Sequence, residues 1–138
     1  MQRIQRQILT SAKLRATPCR VTVVGLLLRN KHALTQQLIE KSLSDRFDRV
    51  TIYRTLKVFL SKGVIHKVLD DTGCLKYALC PEVCMQADHH HDHVHFKCTS
   101  CGNTACLEEI PVPGVKLPRG FMATEYNLLV GGICSKCQ

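Results

Sequence analysis

Two cysteine pairs, Cys98-Thr99-Ser100-Cys101 and Cys134-Ser135-Lys136-Cys137, stand with residues 102–133 between them. A CxxC turn offers two thiolates at a bite that suits tetrahedral zinc, and two such turns supply the four soft ligands of a closed structural site. Disulfides or a redox dithiol are the competing uses of the same residues. They fit poorly, because nine cysteines leave one unpaired and neither CxxC opens a helix in a βαβ pattern. The run Asp88-His89-His90-His91-Asp92-His93-Val94-His95 is a second concentration of ligands. In a strand, His93 and His95 share a face and could chelate one ion, whereas His89–His91 read equally well as a solvated loop. Neither a complete HxHxDH nor an HExxH motif occurs. A zinc hydrolase acting on nucleic acid is therefore a weak rival, with no general base in view beside an open metal position.

The elements that must hold these ligands divide by charge. Residues 1–79 carry 15 Lys/Arg against 5 Asp/Glu, net +10, and residues 80–138 carry 4 against 6, net −2. A basic half joined to a slightly acidic half suits a nucleic-acid-binding module attached to a sensing or dimerising one, though a merely solvated basic surface would show the same count. The 138 residues suffice for two small domains, and a domain of half that size usually needs a metal or a partner. No signal sequence and no apolar run of membrane-spanning length is evident, so a reducing, cytoplasmic setting without membrane contact is expected.

Along the basic half, Ile4 and Ile8 suggest a short helix, and Thr17-Pro18 reads as a cap and first turn of a second helix running to Arg29, with Val21, Val24 and Leu28 inward. A third helix should follow Thr35, with Leu38 and Ile39 inward, and end near Ser44. The fourth should start at an Asp48 cap and stop at Gly63, with Ile52, Leu56, Phe59 and Leu60 on its core face. Its opposite face would present Val50, Thr51, Tyr53, Arg54 and Lys57. Val64–Leu69 and Leu75–Leu79 around Asp70-Asp71-Thr72-Gly73 read as a β-hairpin. Helices followed by a hairpin make a winged helix-turn-helix. Short apolar runs near 93–96, 104–107 and 128–130, with prolines at 111, 113 and 118, indicate a small sheet with loops. The fold class is thus α+β: a winged-helix DNA-binding domain over 1–80, a hinge over 81–92, and a β-rich, zinc-stabilised dimerisation domain over 93–138.

Together these residues resemble the ferric-uptake-regulator (Fur) family over most of the chain. Leu14-Arg15-Ala16-Thr17 with Arg20 is similar to its LRxTxxR segment, and Thr51-Ile52-Tyr53-Arg54-Thr55-Leu56 to its TVYRTL recognition helix. Gly73 to Tyr77 follows its wing, and His91-Asp92-His93 through Cys98-xx-Cys101-Gly102, Gly120-Phe121 and Gly132-Ile133-Cys134-xx-Cys137 follow its dimerisation domain. The resemblance implies a metal-responsive repressor of metal-uptake genes, binding a palindromic double-stranded operator as a homodimer. It implies a regulatory metal held by His32, His93 and His95, with Cys80, Cys106 and Glu108 at or near the places where iron-sensing members use carboxylates. Thiolates suit zinc (Zn2+) better than ferrous iron (Fe2+), so the zinc-uptake-regulator (Zur) branch is expected and iron sensing is the alternative. Arg54 and Tyr53, with Thr51 beside them, would meet base edges, and Arg15, Arg20 and Lys57 mainly phosphates or the minor groove. Two departures stand out. The family's dimerisation helix gives way to a proline-broken 110–118 segment, and a further family metal site is lost where Val94 and Tyr126 replace its ligands. A zinc-stabilised interaction module without DNA binding remains the other rival.

Overall fold

The computed structural model describes residues 2–80, 93–124 and 126–138, which fall into two compact units, Met1–His89 and His90–Gln138. Unit 1 runs α1 (Gln2–Ser11), α2 (Pro18–Arg29), β1 (Leu34–Thr35), α3 (Gln36–Leu43), α4 (Arg49–Ser61), β2 (Ile65–Leu69) and β3 (Leu75–Leu79). Side-chain caps start three of the helices: Thr17 accepts from Arg20 N, Thr35 from Leu38 N and Asp48 from Thr51 N. Each satisfies an amide that the first helical turn leaves without a partner. Behind α4, Gly63 at φ 68° turns the chain into β2. The strands order β1-β3-β2, all antiparallel, which completes a winged helix-turn-helix. No helix among the described residues is long and apolar enough to cross a membrane.

The core gathers Leu9, Val23, Val24, Ile39, Ile52, Leu56 and Phe59, each fully or almost fully buried. Two helix faces differ from the sequence expectation. Leu28 is 37% exposed, and α2 instead buries Cys19, Val23, Val24 and Leu27. This helix is apolar nearly all round, so periodicity does not mark its inner face. In α3, Leu38 is 50% exposed while Glu40 is buried; hydrogen bonds from Gln36 and Arg49 satisfy that carboxylate.

Unit 2 contains β4 (His93–Cys98), β5 (Thr104–Pro111) and β6 (Leu128–Gly132), ordered β5-β4-β6. β4 pairs antiparallel with β5 and parallel with β6. The described residues between β5 and β6 form no helix or strand. Prolines at 111, 113 and 118 remove amide donors that a helix there would need, and their rings clash with the carbonyls of the preceding turn.

Candidate metal centres and nucleic-acid face

The parallel pairing of β4 with β6 explains how two distant CxxC turns meet. Cys98 ends β4 and stands opposite Gly132 near the end of β6, and parallel strands finish on the same side of a sheet. Both knuckles therefore emerge side by side. Thr99 N donates to Gly132 O at 2.7 Å, and Gly102 N, at a φ of 76°, closes the first knuckle on Cys98 O at 2.9 Å. The ligand atoms of Cys98, Cys101, Cys134 and Cys137 all lie within 4.8 Å of one another. Amides of Cys101 and Cys134 each point at Cys98 Sγ from 3.4 Å. These donors hold its thiol down at about 6, below the usual thiol value. Cys137 is pushed up to about 12 by the neighbouring Cys134 thiol. Such a crowd of thiols releases its protons together only to a cation, and four sulfur donors without a carboxylate fit zinc.

A second set forms on the sheet itself. The antiparallel register sets His95 opposite Cys106, and His93 shares the face of His95. Their rings meet edge to face at 4.7 Å. The ligand atoms of His93, His95 and Cys106 also lie within 4.8 Å of one another, with both histidines buried. His95 Nδ1 lies 3.3 Å from Asn127 Oδ1. Only a protonated Nδ1 can donate to that oxygen, which leaves the Nε2 lone pair as the ligand. Burial lowers the His95 pKa against this bond and favours the neutral ring that metals need. Burial, and then the charge of Glu108, push the Cys106 thiol up to about 12. Cys106 therefore stays a thiol until a cation displaces its proton. Two imidazoles and one thiol suit zinc better than ferrous iron.

The other sequence candidates are placed as follows. Glu108 is exposed and lies outside this cluster of donors. His32 is half-buried just before β1. Cys80 is half-buried, with its Sγ 3.6 Å from Nδ1 of His66. His66 is 5% exposed, and sequence reasoning passes over it; the available signal is a lone histidine in a short strand that pairs with the strand leading to Cys80. Asn127 is missed too, since nothing local links it to His95. Cys19 packs in the core beside Thr55 and Cys74 is exposed. The expected hinge, with Cys84 and His89–His91, lies outside the described residues.

On α4, Thr51, Tyr53, Arg54 and Lys57 are exposed. Lys57 Nζ sits 5.5 Å from the Tyr53 ring centroid, close enough for cation–π attraction. Arg15 is exposed before α2, and half-buried Arg20 donates through Nη1 to the Arg15 carbonyl at 3.0 Å. Arg20 thus fixes the loop that presents Arg15.

A winged helix with an exposed cationic recognition face, together with a small sheet bearing two clusters of metal-ligand side chains, defines a metal-binding regulator of transcription. The chain belongs to the ferric uptake regulator family, whose sequence profile matches residues 11–118. It is 28% identical over 137 residues to the zinc uptake regulation protein of Mycobacterium tuberculosis (strain CDC 1551 / Oshkosh), covering 94% of this chain and 99% of that protein. It is 26% identical over 136 residues to the ferric uptake regulation protein of Staphylococcus aureus (strain Mu50 / ATCC 700699), covering 96% and 94%. In fold it is similar to the crystal structure of holo XcZur, with a TM-score of 0.70 at 21% identity over 99% of this chain and 98% of that one. It is similar too to a zinc uptake regulator complexed with zinc and DNA, with a TM-score of 0.64 at 22% identity over 99% and 91%.

Proposed function

We propose that the chain is a zinc-responsive repressor of metal-uptake genes that acts in the cytoplasm and binds a palindromic operator as a homodimer. The observation that carries the choice of metal is the thiol of Cys106 beside His93 and His95, where a carboxylate would favour iron. The zinc-related proteins among its relatives support the same choice. Cys98, Cys101, Cys134 and Cys137 would hold a structural zinc, and His93, His95 and Cys106 the sensed one. The family resemblance adds Cys80 and His32 as further ligands. Among the described histidines of unit 1, His66 is the one found beside Cys80. The residues of the sensing centre act by binding metal better in the DNA-binding arrangement, which shifts the population towards it. Arg54 and Tyr53, beside Thr51, would read bases, while Arg15 and Lys57 contact the backbone.

The test uses a duplex selected from a random pool by the zinc-loaded protein. His93→Ala should retain the four-cysteine zinc and the dimer but lose the gain in affinity that zinc produces. Ferrous iron raising wild-type affinity more than zinc would replace the zinc reading with the iron one.

A further inference from the structure

A polar network joins α3 to the start of α4, and neither the metal centres nor the reading of bases uses it. Glu40 is 9% exposed, an uncommon place for a carboxylate. Its Oε1 accepts from Gln36 Nε2 at 2.8 Å, and its Oε2 accepts from Arg49 Nε at 3.0 Å. Arg49 is the first residue of α4, and its side chain is 84% exposed where that of Glu40 is 11% exposed. Among the described residues, only Nε is engaged, by Glu40. The two terminal amino groups stand in solvent.

Arg49 begins a stripe that continues one and two turns later with Tyr53 and Lys57. A guanidinium has two donor edges, and the pairing with Glu40 occupies the Nε side alone. The Nη edge remains as a planar fork that matches two oxygens of a phosphate. An arginine already fixed in direction loses less freedom on binding than one that must be ordered at the interface. A buried carboxylate beside a helix that faces a polyanion would otherwise only repel its ligand.

We propose that Arg49 binds a phosphate of the DNA backbone, and that Glu40, itself fixed by Gln36, pre-positions it. This rests on the DNA-binding reading given above. It makes Arg49 a contact residue and Glu40 a positioning residue whose negative charge strengthens binding to a negative ligand.

The sign of the Glu40 effect separates positioning from bulk charge. Affinity is measured for the metal-loaded full chain on the selected duplex and on a scrambled duplex over a range of salt. Arg49→Ala should flatten the slope of log affinity against log salt by about 1.8 for the dimer, one released counterion from each protomer, and weaken both duplexes alike by about sixtyfold at ~0.1 M salt. Arg49→Lys should keep most of the slope yet recover only part of the affinity. Glu40→Met should weaken binding by about threefold, and the loss should vanish when Arg49 is already Ala. Circular dichroism and melting establish that each variant folds; were Glu40→Met unstable, the contrast between Arg49→Lys and Arg49→Ala still separates geometry from charge. Tighter binding by Glu40→Met in the otherwise native chain overturns the positioning role. An unchanged slope and affinity in Arg49→Ala overturns the contact, and a loss confined to the selected duplex reassigns Arg49 to a base. If the metal-loaded wild type binds neither duplex, the proposed function itself fails, which is a separate result.

Discussion

Of the 19 apolar residues buried in the described structure, 17 lie in unit 1 and only Val94 and Cys98 in unit 2. One of those two is itself a member of the four-thiol cluster. Unit 2 leaves Ile110, Val115, Phe121, Met122 and Ile133 at 49%, 55%, 70%, 86% and 53% exposure, whereas unit 1 closes around Phe59 and its neighbours. Unit 1 therefore has the apolar burial that drives ordinary folding. Unit 2 has a three-stranded sheet too small to supply it, and a domain with so little core usually needs a metal, or a second copy that covers its surface. The family resemblance names such a copy. The contrast teaches where each half is vulnerable: one to cavities, the other to chelators.

The sharpest way to break this comparison is to remove a thiol. Cys98→Ser or Cys137→Ser should abolish the structure of unit 2, because binding free energy at such sites is folding free energy, on the order of 10 kcal/mol. Hydrogen exchange should show β4, β5 and β6 unprotected while α2 and α4 keep their protection, and a strong chelator should reproduce the pattern in the native chain. A zinc-containing dimer with unchanged melting in either variant would remove the four-cysteine site from consideration. A cavity in unit 1 is the reciprocal experiment. Phe59 is fully buried, and Phe59→Ala should destabilise unit 1 by about 3–5 kcal/mol. Zinc content should be unchanged, as measured by metal analysis after dialysis. Concerted loss of both units would show that they do not fold independently.

The sequence makes some of this plain and hides the rest for identifiable reasons. The four thiols are legible because the chemistry of a CxxC turn is local, and α4 is legible because Asp48, Gly63 and the Ile52–Phe59 spacing all agree. The inner face of α2 is not, since apolar residues surround the helix and only packing against α1, α4 and β3 selects Cys19, Val23 and Leu27. In α3 the exchange of Leu38 for Glu40 depends on an arginine nine residues further on, at the start of the next helix. The grouping of His95 with Cys106 follows from strand register, which turns and pairing fix and which no local spacing reveals. His66 and Asn127 escape for the same reason: each acquires its meaning from a partner strand or loop distant in sequence.

Acid gives the smallest effect and separates the units once more. Asp70 lies at the wing turn, where Lys76 Nζ is 2.7 Å from its Oδ2 and the Thr72 amide 3.0 Å from its Oδ1, with the Thr72 hydroxyl also donating. Burial alone would raise its pKa, but these hydrogen bonds and the Lys76 charge outweigh it and hold the carboxyl well below its ordinary range. A carboxylate depressed in the folded state adds stability that is fully present above its unfolded pKa, near 3.9, and is lost as pH falls towards the folded value. The Asp70 contribution should therefore fall away only below about pH 4, whereas a thiolate site loses its metal in milder acid. Asp70→Asn keeps the size of the side chain and removes its charge, so it should destabilise the β2–β3 hairpin by about 1.5–3 kcal/mol near neutrality. The difference from wild type should shrink as pH drops below 4. Amide exchange in β2 and β3, followed across pH in the full chain, measures it. A difference that stays constant down to pH 2 would mean that the Asp70–Lys76 pair contributes through shape alone.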